Sequence, residues 1–85
     1  MEKKLIGKIT HFYPKINVAV VELTDNLKAG EKISIEKSGE DSLEQTVGSM
    51  QIEHESVQEA KKGDAIGLKV DGRVKEGSDV FKVEG

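Results

Sequence analysis

Glycine stands at the same place in three copies of one short pattern: Leu27-Lys28-Ala29-Gly30-Glu31-Lys32-Ile33, Ala60-Lys61-Lys62-Gly63-Asp64-Ala65-Ile66 and Val74-Lys75-Glu76-Gly77-Ser78-Asp79-Val80. Each copy reads as a tight turn feeding a strand. Glycine at that place predicts a positive φ, where a Cβ would be strained. The Glu31, Asp64 or Ser78 behind it predicts a side chain that bonds the turn amides. Spacings of 33 and 14 residues exclude a solenoid and leave one turn type reused within a meandering sheet.

Around these turns the apolar pattern has period two. Strands are predicted from about Leu5 to Phe12 and from Val18 to Leu23, with Tyr13-Pro14-Lys15-Ile16-Asn17 as the loop between them because Pro14 removes a ladder donor. Lys32 to Glu36 alternates, with Ile33 and Ile35 inward and the rest wet. Ser38 to Ser42 reads as a hairpin connection and Leu43 to Ser49 as the return. A change of phase from Val47 to Met50 and Ile52 predicts a bulge near Gly48. Glu55 to Lys62 reads as one irregular helical turn or plain loop. Ile66, Leu68 and Val70 form the next inward row, Asp71-Gly72 turns, and Val80 to Val83 closes the sheet.

Eighty-five residues make one domain, residues 1–85, and a chain of that size buries only about 60% of its unfolded surface. The predicted fold class is therefore all-β, a closed six-stranded antiparallel β-barrel, since an open sheet so small leaves two exposed edges. A two-sheet sandwich and a more open five-stranded barrel are the alternatives. With no cysteine there is no disulfide or thiolate site. No apolar run reaches the roughly 20 residues of a membrane span, and the expected location is cytoplasmic.

Net charge is −3, from 13 Lys plus Arg against 16 Asp plus Glu, which disfavours general nucleic-acid affinity. The distribution is uneven. Residues 1–15 hold Lys3, Lys4, Lys8 and Lys15 against Glu2 alone, whereas residues 36–64 hold eight acidic side chains against Lys37, Lys61 and Lys62. The basic end reads either as an RNA-facing patch or as plain solvated surface. His11-Phe12-Tyr13-Pro14-Lys15 reads either as a stacking platform for an unpaired base or as aromatic side chains plugging one mouth of the barrel. Gly67, between Ile66 and Leu68, either admits another backbone or relieves crowding. Glu53-His54-Glu55 makes a poor metal site, no nucleophile and base fall into triad spacing, and no enzymatic activity, metal or cofactor is expected.

The stretch Ser49-Met50-Gln51-Ile52-Glu53-His54-Glu55, followed after four residues by Ala60-Lys61-Lys62-Gly63-Asp64-Ala65-Ile66-Gly67, resembles the second, β-barrel domain of translational GTPases of the elongation factor Tu kind. The resemblance runs from Ile6-Gly7-Lys8-Ile9 to Val80-Phe81-Lys82-Val83. It implies a translation-factor-like barrel, a class that also includes accessory domains of initiation factors and appendages on some collagenase-like peptidases. In elongation factors the barrel holds the aminoacylated 3′ end of tRNA with a Glu and an Asn, and those positions are Gln51 and Ala65 here, so polar recognition there is weakened. His54 matches a family histidine. No Gly-x-x-x-x-Gly-Lys-Ser/Thr loop is present, hence no GTP site.

Together these readings imply a non-catalytic binding module that contacts tRNA, ribosomal RNA or a translation-associated protein. The residues expected to make the contact are Lys3, Lys4, Lys8, Tyr13, Lys15, Gln51, His54, Lys61, Lys62 and Gly67. The second reading is a protein-interaction or regulatory adaptor with no nucleic-acid role.

Overall fold

The computed structural model describes residues 2–37, 40–53 and 55–84, with the side chains of Glu2, Glu40, Asp41 and Ser42 outside that description. Its strands are β1 (Glu2–Tyr13), β2 (Val18–Leu23), β3 (Leu27–Lys28), β4 (Lys32–Lys37), β5 (Glu40–Thr46), β6 (Met50–Ile52), β7 (Glu55–Val57), β8 (Glu59–Ala60), β9 (Ala65–Lys69) and β10 (Asp79–Glu84). Eight of them form one antiparallel sheet in the order β5-β4-β10-β1-β2-β9-β6-β7, and β3 pairs with β8 as a separate ribbon. All-β is thus the class. The closed six-stranded barrel is corrected to an open, curled half-barrel of eight strands: β5 and β7 are its ladder edges. The gap arises where the chain leaves β5 at Thr46 and re-enters the ladder only at Met50.

The curl originates in β1. Its first half pairs with β10 and its second half with β2, and the register slips between Leu5 and Gly7 and again between Ile9 and His11. Each slip adds a residue to one strand and increases its coiling, which folds the apolar rows onto one another. Ile6, Ile9, Ala19, Val21, Leu23, Ile33, Ile35, Met50, Ile66, Leu68 and Val80 converge in one buried core, joined by Leu27 and Ala60 from the small ribbon. The four side chains Ile33, Ile35, Ile66 and Leu68 are all at most 2% exposed. Burying each large aliphatic chain contributes about 2 kcal/mol.

The three reused turns are one structure. Gly30, Gly63 and Gly77 have φ of 94, 93 and 87°, and in each the fourth residue donates its N–H to the first residue's carbonyl: Glu31 to Lys28, Asp64 to Lys61, Ser78 to Lys75. This is the type II arrangement, which requires positive φ at its third residue. Glu31 and Asp64 carboxylates accept the N–H of Lys28 and Lys61 at 2.7 and 2.9 Å. Ser78 differs, its hydroxyl donating to the Lys75 carbonyl at 2.6 Å.

Several local expectations are corrected. Ser34, read as wet, is wholly buried. It lies between Cα partners Phe81 and Glu44 on the outer face, and its hydroxyl donates to the Glu36 carboxylate at 3.1 Å. The segment after Glu55 is neither helical nor plain loop but carries β7 and β8. At Gly48 there is a break in the ladder rather than a bulge: Val47 trades hydrogen bonds with the Lys28–Glu31 turn, its N–H to the Glu31 carbonyl and its carbonyl from the Gly30 N–H, both at 2.8 Å. The tip of the Ser38 to Ser42 connection lies outside the described residues.

Glu53 is the first of two residues joining β6 to β7, whose flanking Cα partners are Ile52 and Glu55, and its φ is 50°. A two-residue hairpin asks for that conformation, but a glutamate adopts it at a cost that Gly and Asn largely avoid. Glu53→Gly is expected to raise stability by about 0.5–1 kcal/mol, read as a higher urea midpoint with unchanged slope.

Candidate interaction surface

Of the ten residues singled out in the sequence, the nine that lie among the described residues do not form one surface. Lys3 Nζ lies 2.6 Å from Glu36 Oε2 and Lys4 Nζ 2.6 Å from Asp25 Oδ2, on opposite faces of β1. The hydrogen bond from each ammonium, with a further one from the Asn26 N–H to Asp25 and from the Ser34 hydroxyl to Glu36, holds the Asp25 and Glu36 carboxyls below the usual carboxylate range, and the ammonium bonds raise Lys3 and Lys4. These two lysines are already engaged. Lys8 is exposed but sits between Cα partners Glu22 and Asp79, so its charge is offset within the sheet.

Tyr13 and Lys15 lie at the tip of the β1–β2 hairpin. Lys61 and Lys62 lie in the turn bonded to Leu23 at the other end of β2 through the Gly63 N–H, and a six-residue strand separates the two groups by roughly 20 Å. Gln51 and Gly67 are Cα partners on adjacent strands, both away from the core. A Cβ on Gly67 would meet Val18 Cγ1 at 3.5 Å and the Gln51 carbonyl at 3.9 Å, ordinary contacts, so nothing within this chain crowds that position. His54 lies outside the described residues.

The hairpin tip is where the structure gathers unused chemistry. Pro14 follows Tyr13, whose carbonyl accepts the Ile16 N–H at 3.4 Å, and Asn17 takes a φ of 52° before β2 begins. Proline suits the second place of such a turn and asparagine tolerates the left-handed one. The turn lifts Tyr13 and Ile16 into solvent at 47% and 61% exposure. Tyr13 is therefore no plug; its ring stands edge-on to His11 at 4.4 Å, while Phe12 packs against the core.

Beside the tip, the segment that follows β9 completes a cleft of ≈ 480 Å³ lined by Phe12, Pro14, Arg73, Val74, Lys75 and Glu76. Glu76 is fixed by its own chain: His11 Nδ1 lies 2.7 Å from its carboxylate, the Phe12 N–H donates to it at 3.4 Å, and Lys37 Nζ donates to its carbonyl at 3.0 Å. Arg73 and Lys75 were not singled out from the sequence. Nothing in a lone basic pair near a glycine turn marks it, and only the curl of the sheet brings it to Phe12 and Pro14. Among the described residues no group of three or more His, Cys, Asp or Glu could hold a metal ion, and no helix is long and apolar enough to cross a membrane.

No family model matches the chain. An uncharacterized protease of Methanocaldococcus jannaschii is 42% identical over 76 residues, which cover 89% of this chain and 19% of that protein. The chain thus spans about a fifth of the curated relative it matches. Among solved structures, the C-terminal domain of a provisionally assigned U32 peptidase from Geobacillus thermoleovorans superposes with a TM-score of 0.87 at 13% identity, covering 95% of this chain and 93% of that one. The selenomethionine form of the same domain gives 0.84 over 91% and 96%. At that identity the likeness is one of fold. These findings overturn the translation-factor assignment: the long stretch of sequence identity lies with a protease and the matching fold with a peptidase domain, so contact with tRNA, ribosomal RNA or a translation-associated protein loses its basis.

Proposed function

We propose that this chain is a non-catalytic accessory module of the kind found at the C-terminus of U32 peptidases, serving peptide hydrolysis by contact rather than by chemistry. The observation that carries this reading is the 42% identity running along 89% of the chain to a limited part of a protease. A segment that small, retained nearly end to end, is a unit with its own core. The described residues add support, because they offer a cleft with an apolar floor of Phe12, Pro14 and Val74 and the cations Arg73 and Lys75 in its wall.

The test is a chimera. In the Methanocaldococcus protein the matched segment is deleted or replaced by this chain, and hydrolysis of dye-labelled denatured casein and the thermal transition are measured. Deletion is expected to lower one or both, the chimera to restore them, and the isolated chain to hydrolyse nothing. Turnover by the isolated chain, or a chimera with a folded module that behaves like the deletion, would overturn the reading.

A further inference from the structure

We infer that the hairpin end is a docking site for an extended, acidic polypeptide segment of a separate chain, one that carries an aliphatic or aromatic side chain between its carboxylates. This rests on the accessory-module reading for the class of partner. Phe12, Pro14 and Val74 give the cleft an apolar floor, and ≈ 480 Å³ lies within the range of small-ligand sites. Tyr13 and Ile16 stand beside it, and with Leu5 they are the large apolar side chains most exposed to solvent among the described residues. Apolar surface concentrated at one rim signals contact, whereas Leu5 on the sheet face stands apart.

Charge selects the occupant. Lys3, Lys4, Lys28 and Lys82 each have a carboxylate partner, but Lys15, Arg73 and Lys75, like Lys8, Lys32, Lys61, Lys62 and Lys69 elsewhere, have none among the described residues, and the place of Arg73 and Lys75 in the wall of an apolar cleft sets these two apart. In a chain of net charge −3, unspent cations around an apolar cleft are complementary to carboxylates flanking an apolar anchor. The one carboxylate lining the cleft, Glu76, is occupied by His11 and the Phe12 N–H, which leaves Arg73 and Lys75 to face the ligand. A nucleic-acid strand fits less well. This end presents Tyr13 as its aromatic face, where single-strand binders use successive stacking rings over a positive groove.

The experiment titrates the isotope-labelled chain with the peptide acetyl-Glu-Asp-Leu-Phe-Asp-Glu-amide, following backbone amide shifts by NMR at low and high salt. Saturable shifts confined to residues 12–16 and 72–77 are expected, weakening as salt rises. The same peptide with lysine for every acid, or serine for Leu and Phe, is expected to bind at least about tenfold more weakly. The double variant Arg73→Glu with Lys75→Glu alters exposed side chains only, should keep the spectrum of a folded chain, and should reverse the order of the acidic and basic peptides. No saturable shift, shifts elsewhere, an unreversed order, or tighter binding of a uridine hexanucleotide at the same residues each overturns the site. A working chimera with no peptide binding removes this site alone; peptide binding with a failed chimera removes the accessory-module reading and leaves the site.

Discussion

Replacing Gln45 with leucine is expected to destabilise the fold by about 3 kcal/mol, roughly a 15 °C fall in the thermal midpoint for a domain of this size. Gln45 is 7% exposed on β5, a strand whose ladder partner is β4 alone. On its open side the side-chain amide donates to the Lys69 carbonyl at 2.9 Å and accepts the Asp71 N–H at 2.8 Å. An amide has the donor and acceptor of a peptide group, so this side chain supplies the rung that the backbone cannot make where β9 ends. Leucine fills similar space but leaves both backbone groups without their partner. Gln45→Glu keeps the acceptor for Asp71 and turns a carboxylate toward a carbonyl. It should be destabilised at neutral pH and partly recover as the solution is acidified and the carboxyl regains a proton. Urea unfolding at both pH values checks this, and a leucine variant within about 0.5 kcal/mol of the parent would show the seam to be held by packing alone.

The second large effect is expected at Gly7. A Cβ there would lie 2.8 Å from Val21 Cγ1, 2.9 Å from the Glu22 carbonyl oxygen and 3.4 Å from Leu23 Cδ2. Val21 has nowhere to retreat, being fully buried, and Glu22 is backbone held in register with Lys8 on one side and Ala65 on the other. Gly7→Ala should cost about 2 kcal/mol and Gly7→Val about 3 kcal/mol, the upper part of the range for overfilled cores. Gly67→Ala serves as the control, since its Cβ has room, and should lie within about 0.5 kcal/mol of the parent. Equal losses at the two glycines would mean that strand propensity, not the close approach at the first slip of β1, governs both.

What the sequence made legible is what local chemistry dictates. Val18 to Leu23 was bounded correctly because Asn17 and Thr24 flank an unbroken β-branched run, and the three glycine turns were found because positive φ leaves a visible residue. The inward set Ile33, Ile35, Ile66 and Leu68 followed from alternation. Gln45 and Ser34 escaped because a polar residue on a strand is read as wet, and only the curl of the sheet puts backbone opposite one and covers the other. The same limit hid the open edge: a break between Thr46 and Met50 looks like a change of phase in one continuous strand. Function was misread for a different reason. Turn spacing and barrel strands describe a scaffold that many proteins share, and the lysines of β1 looked like a patch until Glu36 and Asp25 were found beside two of them.

The pairing of β1 with β10 brings Glu2 opposite Glu84, so polypeptide joined at either residue would depart from a single corner. Tyr13 closes the far end of the same strand. In a body pinned at that corner, a rotation at the pivot would displace the aromatic tip in proportion to its distance from the corner, a lever no longer than about the 31 Å long axis, while the corner itself hardly moves. Reach, in such an arrangement, comes from the placement of two strands side by side and needs no flexible arm.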